Sequence, residues 1–396
     1  MSFVELSLIC VVALVGPALA ARKSWHLPLV LGELVAGVLV GKSLLGWVNA
    51  DNETFTFLAD IGFALMMFVA GTHVPMRDRT IRGAIGKGAL RVVVAAVVAT
   101  ALGVAVAMLF GSENAPLYVV LMASSSAALV LPIVDSLKLT GRSVLELTAQ
   151  VALADVAAIV ALPLAIDPAN AGPKAVGALA VAACALVVWW VLRYFETNGG
   201  RQRLHHVSEE RKFALELRIQ LTILFALAGL AVFTHVSIML AGFAFGLAVS
   251  AVGEPRRLAR QLFALNDGFL GPVFFVWLGA SIDLRQLGGH PQMIVLGLLL
   301  GVGAVVAHGA NRLTGLPLPF AVGSAAQLGV PVAAATIGRT LGVFAQGEDA
   351  ALLLGALVTI GSTTAAASWA AKRAAAADTP QAPPPPAPPP PAPNPV

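Results

Sequence analysis

The sequence predicts an all-α polytopic membrane protein with about 13 transmembrane helices, each of about 20 residues. Of its 396 residues, 58% are apolar and only 12% are charged, whereas about a quarter of the residues in a soluble domain are charged. The chain has 38 glycines and a mean hydropathy of +0.85, and glycine is commoner in spanning helices than in soluble ones. This composition leaves no room for a sizeable soluble domain, so it excludes a cytosolic enzyme, a secreted factor and a nucleic-acid-binding protein.

Thirteen apolar stretches are long enough to cross a bilayer as helices. Short segments rich in proline, glycine and charged residues separate them, and such segments end helices. The predicted spans cover residues 3–21, 27–46, 54–73, 88–110, 115–135, 144–166, 173–195, 213–232, 236–252, 262–282, 291–311, 317–338 and 349–370.

The basic residues predict the orientation of the chain in the membrane. They concentrate at the ends of odd-numbered spans and at the C-terminal end, and the opposite span ends and loops hold only Lys42, Lys174, Arg285 and Arg339. Because cytoplasmic loops carry an excess of Lys and Arg, we expect the N-terminus outside and the C-terminus in the cytoplasm. The compact loops are typical of a multi-pass protein of the bacterial inner (plasma) membrane, surrounded by lipid.

The composition also divides the chain into a membrane part and a tail. We expect residues 1–373 to form one transmembrane domain. The longest loop, 196–212, is expected to be a solvated cytoplasmic linker between two halves; pH sensing by His205 and His206 is the alternative. The Ala/Pro-rich residues 374–396 predict a disordered or polyproline-like cytoplasmic tail.

One carboxylate inside the predicted spans has no simple explanation. Asp155 lies near the middle of the sixth span, with no Lys or Arg within two turns on its own helix. An ionisable side chain at mid-bilayer costs about 2.5–3.5 kcal/mol on insertion scales and marks a functional site by default. Asp155 must therefore pair across helices, bind a cation or carry a proton. The structural alternative is an aspartate that is hydrogen-bonded to neighbouring backbone.

Other ionisable residues in the spans have simpler explanations. Glu5 and Glu146 lie about one turn from a span end and can reach the interface. Arg91 is expected to extend its head group to the cytoplasmic interface. Asp267 begins a span, where it is expected to cap a helix N-terminus.

Two predicted spans are interrupted in the same way, by hydroxyl or amide side chains followed by a proline. These residues are Ser124, Ser125, Ser126 and Pro132 in the fifth span, and Ser324, Gln327 and Pro331 in the twelfth. Interrupted spans at corresponding positions of two halves indicate a transporter site built from broken helices. The alternative is that the small residues allow close helix packing.

Three stretches carry a family resemblance. They are Leu27–Gly41, Leu58–Gly71 and Phe269–Leu284. The third matches a Phe-Phe-x-x-x-Gly pattern, and the order and spacing of all three extend the similarity over residues 27–370. The chain resembles cation:proton antiporters of the monovalent cation:proton antiporter-2 type, in the sodium/hydrogen exchanger superfamily.

The resemblance implies an inverted-repeat fold in which a core domain, about residues 88–166 and 291–370, moves against a dimerisation domain. A homodimer is therefore expected. The resemblance also places two crossed, unwound helices at Ser124–Pro132 and Ser324–Pro331, and the ion-binding aspartate of the family at Asp155. The expected substrates are Na⁺ or K⁺ and H⁺, which compete for this carboxylate. Neither a cofactor nor an enzymatic reaction is expected.

The expected site includes further residues around the two breaks. The ion-binding residues are Asp155, Ser124, Ser125 and Ser126, and the ion path includes Gln327, Ser324, His308 and Gln150. Glu33 and Asp60 belong to motifs that the family shares. We expect them to stabilise helix packing or the dimer side rather than to bind the ion.

The chain departs from the family pattern at three positions. Ala154 precedes Asp155, where family members carry Asp, Asn or Gln. The eleventh span has no Lys or Arg at the family's basic position, which falls near Gly303, and Gln327 stands where an acid is common. His308 is a candidate substitute for the missing base; the alternative is a packed polar residue. With one carboxylate and no partner base, we expect electroneutral exchange of one cation for one proton.

Three other functions stay open at this point. One is a glutathione-gated type of potassium efflux system, whose membrane part resembles this one. Another is transport of an organic anion with Na⁺ by a related inverted-repeat fold. The third is a membrane sensor that does not transport.

Overall fold

The computed structural model describes residues 1–21, 29–74, 79–137, 139–198, 215–234, 236–253 and 256–377. In these residues all regular secondary structure is helical, which confirms the predicted fold class. Each of the thirteen predicted spans coincides with a helical segment.

The helices follow the order of the predicted spans. In the first half they are α1 Phe3–Ala13, α2 Val15–Ala20, α3 Leu29–Val40, α4 Glu53–His73, α5 Arg79–Phe110, α6 Ala115–Ala123, α7 Ala127–Ser136, α8 Arg142–Ile166 and α9 Ala171–Thr197. In the second half they are α10 Leu215–Phe233, α11 Ile238–Val252, α12 Arg256–Leu265, α13 Gly271–Ser281, α14 Leu284–Gly289, α15 Pro291–Gly309, α16 Leu318–Gly323, α17 Gly329–Leu341 and α18 Glu348–Ala377. A π-helical turn, Asn266–Leu270, joins α12 to α13.

Nine helices in the described ranges are long and apolar enough to cross a membrane. The other four predicted spans fall on shorter helices. Two of these are the single helices α3 and α11, and two are the pairs α6–α7 and α16–α17. The interrupted spans of the sequence are therefore discontinuous helices in the structure.

The two discontinuous helices cross at their breaks. The first break comprises residues 124–126 and the second residues 324–328. At the crossing, the Ser125 hydroxyl donates a hydrogen bond to the Ser324 carbonyl oxygen over 2.7 Å. This contact joins positions that are 199 residues apart in the sequence, as expected for corresponding breaks of two inverted repeats.

Close glycine contacts hold α3 against α13 and α4 against α11. A Cβ atom on Gly279 would overlap the Leu34 carbonyl oxygen, and one on Gly246 would overlap the Phe68 carbonyl oxygen. Small residues let spanning helices approach until their backbones touch. Gly279 is the glycine of the Phe-Phe-x-x-x-Gly pattern, so that motif has a packing role here.

The predicted linker and tail lie mostly outside the described residues. Helix α9 ends at Thr197, just inside the predicted linker 196–212, and residues 199–214 are not among those described. Helix α18 continues past the predicted boundary at 373 to Ala377, because its last residues are alanines, the best helix formers. Residues 378–396 also lie outside the described ranges.

We predict that Gly279→Ala destabilises the protein. The added methyl group meets the Leu34 backbone, so α3 and α13 must separate, and such overpacking costs about 1–3 kcal/mol. The change should lower the Tm of the detergent-solubilised protein. Gly361→Ala in α18 is the matched control, because a Cβ there meets nothing within 4 Å. Equal Tm values for wild type and Gly279→Ala would contradict the prediction.

Candidate functional site

The candidate site lies where the two breaks cross and α8 passes beside them. Asp155 is near the middle of α8, and its side chain is 3% exposed. Its Oδ2 atom accepts a hydrogen bond from the backbone N–H of Ala127 over 2.9 Å. Ala127 is the first residue of α7, so the carboxylate faces a helix N-terminus, where N–H groups lack helical partners and the dipole favours negative charge.

No basic side chain forms an ion pair with Asp155 in the part of the chain that the structure describes. The carboxylate is therefore buried with one backbone donor and no fixed countercharge. A buried charge of this kind is costly unless a cation or a proton joins it. The backbone bond matches the structural alternative, but one neutral donor does not balance the charge.

The three serines of the first break differ in what their oxygens do. The Ser124 hydroxyl donates to the Leu121 carbonyl within its own chain segment, and the Ser125 hydroxyl donates across the crossing, as described above. The carbonyl oxygen of Ser126 accepts from the N–H groups of Leu129 and Val130 and so begins α7. Ser126 directly precedes Ala127, whose N–H bonds Asp155, so of the three serines it is the nearest in sequence to that hydrogen bond.

His308 joins both breaks. It is fully buried, and its Nε2 atom lies 3.0 Å from the Ser124 carbonyl oxygen. Its Nδ1 atom lies 3.1 Å from the Ser324 hydroxyl. A carbonyl oxygen can only accept, so the protonated nitrogen of a neutral His308 is Nε2, which donates to Ser124. Nδ1 carries no hydrogen; the Ser324 hydroxyl gives its own hydrogen to the Ala321 carbonyl oxygen, and the Gln150 amide nitrogen lies 3.5 Å from Nδ1.

Gln150 and Gln327 complete the polar contacts at the crossing. The Gln150 amide nitrogen donates to the Ser324 hydroxyl over 2.9 Å. The Gln327 amide nitrogen donates to the Leu121 carbonyl oxygen, next to the first break. All eight residues of the expected ion-binding group and ion path therefore lie in the two breaks or bond to a residue in or next to one.

Glycine occupies position 303, near which the resemblance places the family's basic residue. A Cβ on Gly303 would meet the Met122 side chain, whereas His308, more than one turn away, makes the polar contacts. The sequence identifies position 303 but does not predict the contacts of His308, because these depend on where α15 ends relative to the crossing.

Glu33 and Asp60 lie away from the crossing. Glu33 is 1% exposed, packs against Gly16 of α2, and has no hydrogen-bond partner among the described residues. Asp60 is partly buried on α4 and lines a cavity. Neither residue contacts the breaks.

The cavity beside Asp60 has a volume of about 440 Å³ and opens between two groups of helices. Helices α4 and α13 line one side, and α17 with α18 line the other. Acidic side chains of Asp51, Glu53 and Asp60 meet one basic side chain, Arg339, which pairs with Asp349 over 2.9 Å. By the predicted orientation this cavity faces the outside.

Aromatic and thioether side chains lie between this cavity and the second break. Phe63 stacks on Phe274 with ring centroids 4.9 Å apart. Phe63, Met67 and Met239 surround Gly329, the first residue of α17. Phe63 is three residues after Asp60 on α4, so this ring cluster adjoins both the cavity and the start of α17.

Arg91 departs from the sequence expectation, because its head group is buried instead of extending to the interface. Glu146 does lie near a helix end, and two of its partners, Lys87 and Arg142, have side chains that are 50% and 81% exposed. Arg91 is 1% exposed and donates from Nη2 to a Glu146 carboxylate oxygen over 2.7 Å. Lys87 and Arg142 also bond to Glu146, each over 3.1 Å. The ion pair joins α5 to α8, and it was not predicted because the two positions are 55 residues apart.

One family model and several curated proteins are similar to this chain. The family model described as "Sodium/hydrogen exchanger, transmembrane" matches residues 10–372. The chain is 28% identical over 319 residues to the Na⁺/H⁺ antiporter NhaS5 of Synechocystis, covering 77% of this chain and 44% of that protein. It is 29% identical over 287 residues to the glutathione-regulated potassium-efflux system protein KefC of Klebsiella pneumoniae, covering 70% and 44%. The chain thus spans about half the length of these curated relatives.

A solved structure has the same fold. The sodium proton antiporter MjNhaP1 from Methanocaldococcus jannaschii superposes with a TM-score of 0.67 at 18% sequence identity, over 94% of this chain and 98% of that one. At this identity the similarity establishes the fold alone.

We predict that Glu146→Gln is strongly destabilising. It leaves the buried Arg91 guanidinium without a countercharge, and breaking a buried pair costs about 3–5 kcal/mol. Arg142→Gln is the matched control, because the Arg142 side chain is 81% exposed and an exposed pair contributes about 0–1 kcal/mol. The measurement is Tm in detergent. A similar small shift for both variants would contradict a structural role for the buried pair.

Proposed function

Because the chain belongs to the sodium/hydrogen exchanger family, we propose that it is a secondary active antiporter that exchanges a monovalent cation, Na⁺ or K⁺, for H⁺. One observation carries the proposal: the Asp155 carboxylate is buried against the N-terminus of α7 at the crossing of two broken helices. Transporters of broken-helix design bind their ions at such crossings.

Competition for one carboxylate explains the coupling. Asp155 binds either a proton or a cation, and in both cases the site is neutral. Neutralisation removes most of the cost of carrying a charged group through the membrane. An empty, ionised Asp155 keeps that cost, so the protein moves its site across only when the site is occupied.

The oxygen atoms near Asp155 suit a monovalent cation. Hard cations prefer carboxylate, carbonyl and hydroxyl oxygens. Ser126 adjoins the α7 N-terminus, and the Gln327 side chain reaches from the second break to the Leu121 carbonyl oxygen beside the first. In the proposed site these two residues complete the coordination by Asp155, while Ser124 and Ser125 hold the crossing together.

We assign His308 and Ser324 to the crossing rather than to the ion. His308 donates to a carbonyl of one break and lies against the Ser324 hydroxyl of the other, and Gln150 donates to the same hydroxyl. In this proposal His308 takes the place of the basic residue that is common in the family. His308 does not pair with Asp155, so the transported charge is one cation against one proton.

The acidic cavity supports alternating access. It lies between α4 with α13 and α17 with α18, which fits a cleft between a moving core and a dimerisation domain. Relative movement of the two groups would open the ring cluster at Phe63 and admit cations to Asp155. In this proposal the core is about residues 88–166 and 291–370, the protein is a homodimer of the inner membrane, and its C-terminus is cytoplasmic.

We predict that Asp155→Asn abolishes exchange in a folded protein. The test is proton flux in proteoliposomes with an internal pH dye, after Na⁺ or K⁺ is added outside. Glu33→Gln is the matched control, because it neutralises a buried carboxylate away from the crossing and should retain exchange. Full flux in Asp155→Asn, or no flux in wild type with either cation, would reject the proposal and leave organic-solute transport or a sensor.

We further predict that wild-type exchange is independent of membrane potential. One cation moves against one proton, so no net charge crosses. The rate of Na⁺-driven alkalinisation should be the same with and without a potassium–valinomycin clamp. A rate that follows the imposed potential would contradict a one-for-one stoichiometry.

A further inference from the structure

Helix α18 carries two threonines one turn apart, and both are buried inside the protein. Thr359 is fully buried and Thr363 is 1% exposed. Only the Thr359 hydroxyl bonds to another segment: it accepts a hydrogen bond from the backbone N–H of Gln327 over 3.1 Å. The Thr363 hydroxyl has no hydrogen-bond partner among the described residues.

The Thr359 hydroxyl is oriented as an acceptor. It donates its own hydrogen to the Ala356 carbonyl oxygen of α18 over 2.7 Å, so a lone pair faces the second break. Gln327 lies inside that break, between the end of α16 and the start of α17. Its N–H therefore has no partner from regular helix bonding, and an unpaired N–H inside a membrane protein is costly.

The effect of Thr359 passes from the backbone of Gln327 to its side chain. The amide nitrogen of that side chain donates to the Leu121 carbonyl oxygen beside the first break. A shift of the Gln327 backbone would therefore move the amide that spans the crossing. From a third helix, Thr359 thus holds the backbone of the residue whose side chain reaches the Leu121 carbonyl oxygen beside the first break.

We propose that Thr359 is a positioning residue for the ion site: through its bond to the Gln327 N–H it sets the position of the Gln327 side chain at the crossing. It acts through Gln327 and does not touch the ion. This inference rests on the proposed antiport through Asp155 and adds a residue that neither the motifs nor the resemblance identifies.

Three variants separate the hydrogen bond from packing. Thr359→Val keeps the shape and removes the acceptor, whereas Thr359→Ser keeps the acceptor. Thr363→Val makes the same isosteric change one turn away, at a hydroxyl with no partner in the described structure. Each is reconstituted in proteoliposomes, and the KM for Na⁺ or K⁺, the kcat of exchange and the Tm are measured.

We expect Thr359→Val to raise the cation KM about fivefold to tenfold, the scale of one lost hydrogen bond. Thr359→Ser and Thr363→Val should stay within about twofold of wild type. An unchanged KM and kcat in Thr359→Val, an equal loss in Thr363→Val, or a loss in Thr359→Ser equal to that in Thr359→Val would overturn the inference.

Wild-type flux tests the proposed function separately. If wild type shows no exchange, that function is rejected, and the cation Kd of the same variants, from calorimetric titration, then decides the positioning role. A Kd weakened only in Thr359→Val would support the role, and equal Kd values or no binding would overturn it.

Discussion

The arrangement of the crossing depends on the hydrogen bond from the Ala127 N–H to the Asp155 carboxylate. It requires a helix that begins in the middle of the membrane, and such a helix leaves backbone groups without helical partners. The surrounding polar residues supply those partners. Ser125, His308 and Thr359 each bond a backbone group of a break. The polar residues of the crossing are therefore the structural requirement for placing one carboxylate at a helix N-terminus inside the bilayer.

Buried charges in this protein fall into two classes with different consequences. The Glu146 carboxylate accepts from Arg91, Lys87 and Arg142, so it joins α5 to α8 and is already paired with basic side chains. Asp155 has a backbone donor but no basic partner in the described structure. A carboxylate of the second class needs a cation or a proton, and exchange of one for the other is the chemistry proposed here. The same reasoning explains why the absence of a base beside Asp155 is compatible with transport and points to a one-for-one stoichiometry.

Much of the fold and the position of the central carboxylate could be predicted from the sequence. Hydropathy, together with the prolines and glycines that separate the apolar stretches, identifies all thirteen helical segments. The runs of polar residues followed by proline identify both breaks. All of these features are local in the sequence. The pairing of Arg91 with Glu146 and the bond from Thr359 to Gln327 could not be predicted, since each joins residues distant in sequence. Thr359 and Thr363 are equivalent in the sequence pattern, and only the packing of α18 against the second break distinguishes them. His308 was identified as a candidate, but its contacts depend on the same packing.

The proposed exchange requires that one carboxylate binds a proton and a cation in competition. The most direct test counts the protons that purified protein releases when Na⁺ or K⁺ binds, by calorimetric titration in buffers of different ionisation enthalpy. We expect release of about one proton per bound cation at a pH where Asp155 is protonated, and no release from Asp155→Asn. Cation binding that releases no proton, or equal release from Asp155→Asn, would contradict this expectation.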